Sequence, residues 1–197
     1  MFDQDALHQR GKALEDEFFR QVDQKLLADL KAADERESLK EQLASVTSFQ
    51  DDELLADLID CGFQPMTVAA LALVPAVFVA WADGSVTPLE RQAVMNAALR
   101  RGIEEQPLAL QLLETWLHKH PPRSLWNLWK EYVSAVCSSF ADSSREALAN
   151  EVRQQARTVA EASGGTLGFG KVSDAEQAIL DDIDAVFCNE SSVTRAQ

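Results

Sequence analysis

The sequence predicts an all-α fold: a single helical domain of about eight helices with two related helix-turn-helix hairpins and an N-terminal helical arm. Three observations carry that prediction. No segment of the 197 residues shows the strict apolar-polar alternation of a half-buried strand. Residues 66–82 are apolar at every position except Thr67 and Pro75, and they run into an Asp-Gly turn followed by a strong helix start. The wording of that joint then returns some 80 residues later.

In chain order, residues 3–48 read as one or two polar helices. An apolar stripe passes through Leu7, Leu14, Phe18, Val22, Leu26 and Leu30, and a shorter one through Leu39, Leu43 and Val46. A stripe this narrow either packs along its own domain or pairs with a second chain. The charged run from Lys31 to Lys40 has no apolar face and is expected to be solvated or bridging. Asp51 or Asp52 starts a short helix that ends near Cys61, with Gly62 as its stop and Pro65 preparing the next segment.

A helix that is apolar all round, as 66–82 would be, must lie in a protein core or in a bilayer. Seventeen residues rise about 25 Å, short of roughly 30 Å of hydrocarbon. The flanks carry Asp57, Asp60, Asp83 and Glu90 instead of a basic collar. The expectation is a central core helix kinked at Pro75. Gly84 then closes it, Thr87 caps the next helix, Glu90 reaches back to the Thr87 N–H, and Pro88 takes the first helical position. That helix runs to about Arg101, with Gly102 as its stop. Further helices follow at about 106–119, stopped by Pro121 and Pro122, then at 124–139, 142–162 and 174–187, with a flexible tail from Asn189.

The repeat is specific. Val79-Ala80-Trp81-Ala82-Asp83-Gly84 matches Val159-Ala160-Glu161-Ala162-Ser163-Gly164 at an offset of 80, and the segment from Gly84 to Glu90 matches that from Gly170 to Glu176 at an offset of 86. The second copy thus carries a six-residue, glycine-rich insertion in its turn. Ser173 and Glu176 form a second capping box, while Ser163 stands where the first copy has Asp83.

A formal charge of −14 argues against nucleic acid, because a phosphate backbone would repel the chain. Residues 1–60 hold 16 acids against 7 Lys and Arg, a net of −9, so basic partners or cations are the electrostatic attractions. The three cysteines, Cys61, Cys137 and Cys188, have no metal-ligand spacing and suit a reducing cytoplasm. The opening residues show neither a basic region nor an apolar core, so no signal peptide and no transmembrane segment are expected.

Chemistry-bearing motifs are few. Gly165-Thr166-Leu167-Gly168-Phe169-Gly170-Lys171 spells the first seven positions of a phosphate loop, but Val172 replaces the hydroxyl residue that magnesium needs, and a helix precedes it. The loop reads better as a glycine hinge with Phe169 tucked inward. His118-Lys119-His120 reads as a basic helix end, because positions two apart point to different helix faces. Trp126 and Trp129 lie one turn apart and read as packing. Asp83, set against the negative end of a helix, incurs a cost of about 0.3–1 kcal/mol that a cation would reverse. Spacing alone leaves it either a ligand for a hard cation, with Glu90 as a second donor, or an exposed turn residue.

Ala82-Asp83-Gly84-Ser85-Val86-Thr87-Pro88-Leu89-Glu90-Arg91 resembles the A-D-G-x-[IV]-[ST]-x-x-E-[KR] signature of TerB-like proteins, named for tellurite resistance. The likeness spans roughly residues 51–187. It implies a compact acidic helical domain (51–188) behind an arm (1–50), with a tail (189–197), acting without catalysis in stress-response assemblies. It also implies a divalent cation, calcium or magnesium, held by Asp83 and Glu90 and more weakly by Glu176. An unidentified protein partner and homo-oligomerisation through the arm complete that expectation. Two rivals are a pure interaction module without metal and an enzyme with a site under the 164–170 loop.

Overall fold

The computed structural model describes residues 3–47, 49–162 and 172–193, with side chains described from residue 17 to residue 188 within those segments. Among these residues the fold is all-α: eight α-helices, two 3₁₀ segments and no strand.

The first helix, α1, is a single rod of 45 residues, Asp3–Thr47, about 68 Å long at 1.5 Å per residue. No proline interrupts it. Every residue from 18 to 35 is exposed, so this part of the rod stands clear of the body. Contact begins in the charged run, which proves to be bridging. Arg36 holds Asp60 through two hydrogen bonds of 2.6 and 3.0 Å, and Lys40 donates to Asp52 at 2.8 Å. The hydrogen bond from the Arg36 guanidinium draws the Asp60 carboxyl below its usual range. One turn further on, Leu43 is fully buried. The last quarter of α1, from Arg36, therefore belongs to the body, and only the part before it is an arm.

Asp51 caps α2 (Asp52–Asp60) by accepting from the N–H groups of Glu53 and Leu54 at 3.0 and 3.2 Å. Leu54, Leu55 and Leu58 enter the core. The apolar segment differs from its sequence reading. It is not one kinked helix but a 3₁₀ segment, Val68–Leu73, that passes into α3, Val74–Ala80. Pro75 is the second residue of α3, where its missing N–H leaves no intrahelical bond unmade, so it begins a helix instead of bending one. All seven residues of α3 are buried. Around it pack α4 (Pro88–Arg100), α5 (Pro107–His118), α6 (Arg123–Ser139), α7 (Asp142–Ala162) and α8 (Asp174–Val193).

Helix ends fall close to the sequence punctuation. Gly62, Gly84 and Gly102 have φ of 85°, 87° and 71° and lie just past helix ends. At Gly84 the left-handed backbone returns its N–H to the Trp81 carbonyl at 2.8 Å, a turn that a side chain would strain. The last helix departs from expectation by running to Val193, six residues past Phe187. Ser163, Gly164 and the glycine-rich stretch through Lys171 lie outside the described residues, as do 194–197.

Candidate functional site

The repeat is a repeat of caps. Before α4, the Thr87 hydroxyl accepts from the Glu90 N–H at 3.3 Å, and Glu90 Oε2 accepts from the Thr87 N–H at 2.6 Å. Before α8, the Ser173 hydroxyl accepts from the Glu176 N–H at 3.2 Å, and Glu176 Oε2 accepts from the Ser173 N–H at 2.7 Å. Both glutamates are buried, at 2% and 1% exposure. Each satisfies a backbone donor that would otherwise be orphaned at a helix start.

Asp83 is exposed, and its place differs from the sequence reading. The last helix residue before it is Ala80, so Asp83 sits in the turn after α3 and not in its last turn. Its Oδ1 instead accepts from the Ser173 hydroxyl at 2.9 Å. The turn of the first hairpin thereby grips the cap of the second. Asp83 and Glu176 both meet Ser173, whereas Glu90 serves its own cap. No group of three or more His, Cys, Asp or Glu among the described residues is placed to hold a metal ion. Sequence spacing cannot reveal the Asp83–Ser173 bond, which joins residues 90 apart. The only available signal was the repeat, since related hairpins that pack together bring each turn near the other's cap.

The histidines separate as expected. Arg91 donates to the Leu117 carbonyl at 2.8 Å and lies 3.3 Å from His118 Nδ1, which closes the end of α5. His120 lies against the rings of Trp81 and Phe78, with centroids at 5.2 and 5.9 Å. Trp126 stacks on Trp129 at 4.9 Å, and Phe78 meets Trp126 at 5.0 Å. The rings of Phe78, Trp81, His120 and Trp126 line a cleft of about 220 Å³ between the end of α3, the start of α6 and α8. Arg123 and Asp182 line it as well, and neither forms an ion pair with a described residue. This aromatic cleft escaped the sequence reading, because its walls come from three distant segments.

Cys61 borders a second cleft with Asp57, Ser124 and Glu131. Burial first, and then the nearby Asp57 charge, push its thiol above the ordinary value. That is the opposite of what activates a nucleophilic cysteine.

On the arm, the apolar side chains face solvent. Phe18 is 61% exposed, Leu26 55% and Leu30 66%. Phe18 and Phe19 pack edge to face at 5.8 Å without covering each other. The arrangement defines a class: a helical body clasped by paired caps, from which a helix with an uncovered apolar stripe projects. No helix among the described residues is long and apolar enough to cross a membrane. No family model, no curated protein and no solved structure matches the chain.

Proposed function

We propose that this chain is a non-catalytic protein-interaction module whose N-terminal arm docks on a protein partner. The observation that carries the proposal is the run of exposed apolar side chains from Phe18 to Leu30 on a helix that stands clear of the body. An apolar stripe at helical spacing is worth little to a monomer in water, whereas a facing helix or groove recovers its burial energy. The body then serves as a rigid mount. Its caps and the Arg36–Asp60 and Lys40–Asp52 bridges fix where the rod leaves it.

The TerB-like resemblance supplies a context for this reading, a helical adaptor within a stress-response assembly, and rests on the motif from Ala82 to Arg91. The cation reading of Asp83, Glu90 and Glu176 is the weaker one. Each glutamate commits an oxygen to a backbone amide, and Asp83 commits one to Ser173.

The test replaces Leu26 and Leu30 by Gln together. Exposed substitutions of this kind change stability by about 0.5 kcal/mol or less, so the melting temperature should hold while assembly measured by light scattering is lost. A large fall in melting temperature would mean that the stripe serves the chain's own core, and the proposal would fail.

A further inference from the structure

Resting on the arm's role as a docking element, we infer that the partner of the arm is a second copy of this chain, the two arms lying antiparallel and centred on the level of Leu27. The surface to be covered holds six exposed apolar side chains: Phe18, Phe19, Val22, Leu26, Leu27 and Leu30. At 3.6 residues per turn Phe19, Val22, Leu26 and Leu30 share one face of the rod, with Phe18 and Leu27 at its edges. Burying that face in both copies removes on the order of 1,000 Å² from water, about where specific interfaces begin.

The charges beside this face say which chain fits it. The whole chain carries −14, yet residues 18–31 hold three basic and two acidic residues, so two copies meet least repulsion here. Arg20 is already paired with Glu17, whereas Asp23, Lys25, Asp29 and Lys31 form no ion pair among the described residues. Their signs reverse about residue 27: an acid at 23 against a base at 31, a base at 25 against an acid at 29. In an antiparallel pair centred there, Lys25 comes level with Asp29 of the second copy on one flank of the apolar face, and Asp23 comes level with Lys31 of the second copy on the other. Two-fold symmetry makes each contact twice.

The apolar row interleaves in the same register. Val22, Leu26 and Leu30 stand four apart, and the second copy's Leu30 and Leu26 come level with residues 24 and 28, in the two gaps of that row. Ridges of this spacing pack by filling one another's grooves. Laying the row directly on itself, Val22 against Leu26, would instead bring Lys25 beside the second copy's Lys25 and Asp23 beside its Asp23, so charge and packing select the centre at Leu27 together.

The experiment measures association of the full chain by sedimentation equilibrium, with melting curves to verify folding. Lys25→Glu and Asp29→Lys should each weaken self-association by about tenfold, because each turns two attractions into two repulsions. Mixed in equal amounts, the two variants should associate with each other as strongly as the wild type does with itself, since every contact between positions 25 and 29 again joins opposite charges. Recovery on mixing supports the antiparallel pair; a parallel pair, which sets position 25 near 23 and position 29 near 31, gains no such recovery. Failure to recover, while Leu26→Gln with Leu30→Gln abolishes association, would overturn the antiparallel pair and leave the docking role of the arm standing. A wild type that stays monomeric at every concentration overturns the inference and leaves the arm to a different protein.

Discussion

Removing the Ser173 hydroxyl tests whether the two hairpins are joined as the geometry indicates. Ser173 does two things with one atom: it accepts from the Glu176 N–H at 3.2 Å and donates to Asp83 at 2.9 Å. Loss of an N-cap acceptor costs about 0.5–2 kcal/mol, and loss of a hydrogen bond to a partly solvated carboxylate about 0.5–1 kcal/mol. Ser173→Ala should therefore cost about 1–3 kcal/mol, a fall of roughly 2–12 °C in melting temperature for a chain of this size. Asp83→Ala forfeits only the second part, about 0.5–1 kcal/mol, and Asp83→Asn, which keeps an acceptor, should fall within about 0.5 kcal/mol of wild type. Because both single variants break one shared bond, the double variant should show a coupling of about 0.5 kcal/mol or more in urea titrations followed by circular dichroism. Additive losses would refute the joint. Melts in chelator and in millimolar calcium or magnesium complete the assay. On the cap reading the wild-type curve does not move. A rise of several degrees with cation that disappears in Asp83→Asn would refute that reading and restore the cation site.

Two further outcomes follow from the packing. A chain that begins at residue 35 keeps Arg36, Lys40 and Leu43 and should melt close to the full-length protein, whereas one that begins at residue 49 loses the fully buried Leu43 and should be less stable by about 2–5 kcal/mol in urea titration. Equal melts for both would mean that the end of α1 does not pack as described. The Cys61 thiol, raised by burial and then by Asp57, should ionise above its ordinary value of 9.0, so its thiolate absorbance should appear only as pH climbs past that value. The folded pKa lies above the unfolded one, so the stability this thiol lends is complete below the unfolded pKa and is lost as pH climbs through the folded value. Cys61 reacting with a thiol reagent at neutral pH as fast as Cys188 would contradict the burial.

What could be read in the sequence was local. The Thr87–Glu90 and Ser173–Glu176 boxes span three residues each and are visible because their atoms reach one another through the chain's own first turn. Gly84 and Gly102 marked helix ends for the same reason: the left-handed turn needs only the residue that adopts it. The all-α class followed from such pieces. Pro75 misled because a proline inside an apolar run signals either a kink or a fresh start, and only the 3₁₀ geometry of 68–73 distinguishes the two. The end of α8 was placed too early because polarity after Phe187 reads as a tail, although a polar helix can continue once nucleated.

The acidic turn shows where local reading ends. Spacing left Asp83 either a cation ligand or an exposed turn residue, and in the fold it is exposed in the turn and accepts from a hydroxyl 90 residues away. Glu90 and Glu176 were given two roles, cap and ligand, and their burial separates these. At 2% and 1% exposure, each carboxyl group accepts from a backbone amide, and turning that oxygen toward a cation would orphan the amide at a helix start. The repeat therefore conserves a way of starting a helix against a neighbour more directly than it duplicates a metal site. Among the described residues, the same logic moves attention to apolar side chains that lack cover, the stripe from Phe18 to Leu30. Groups satisfied within the chain build the mount, and groups left for another chain define what the mount holds.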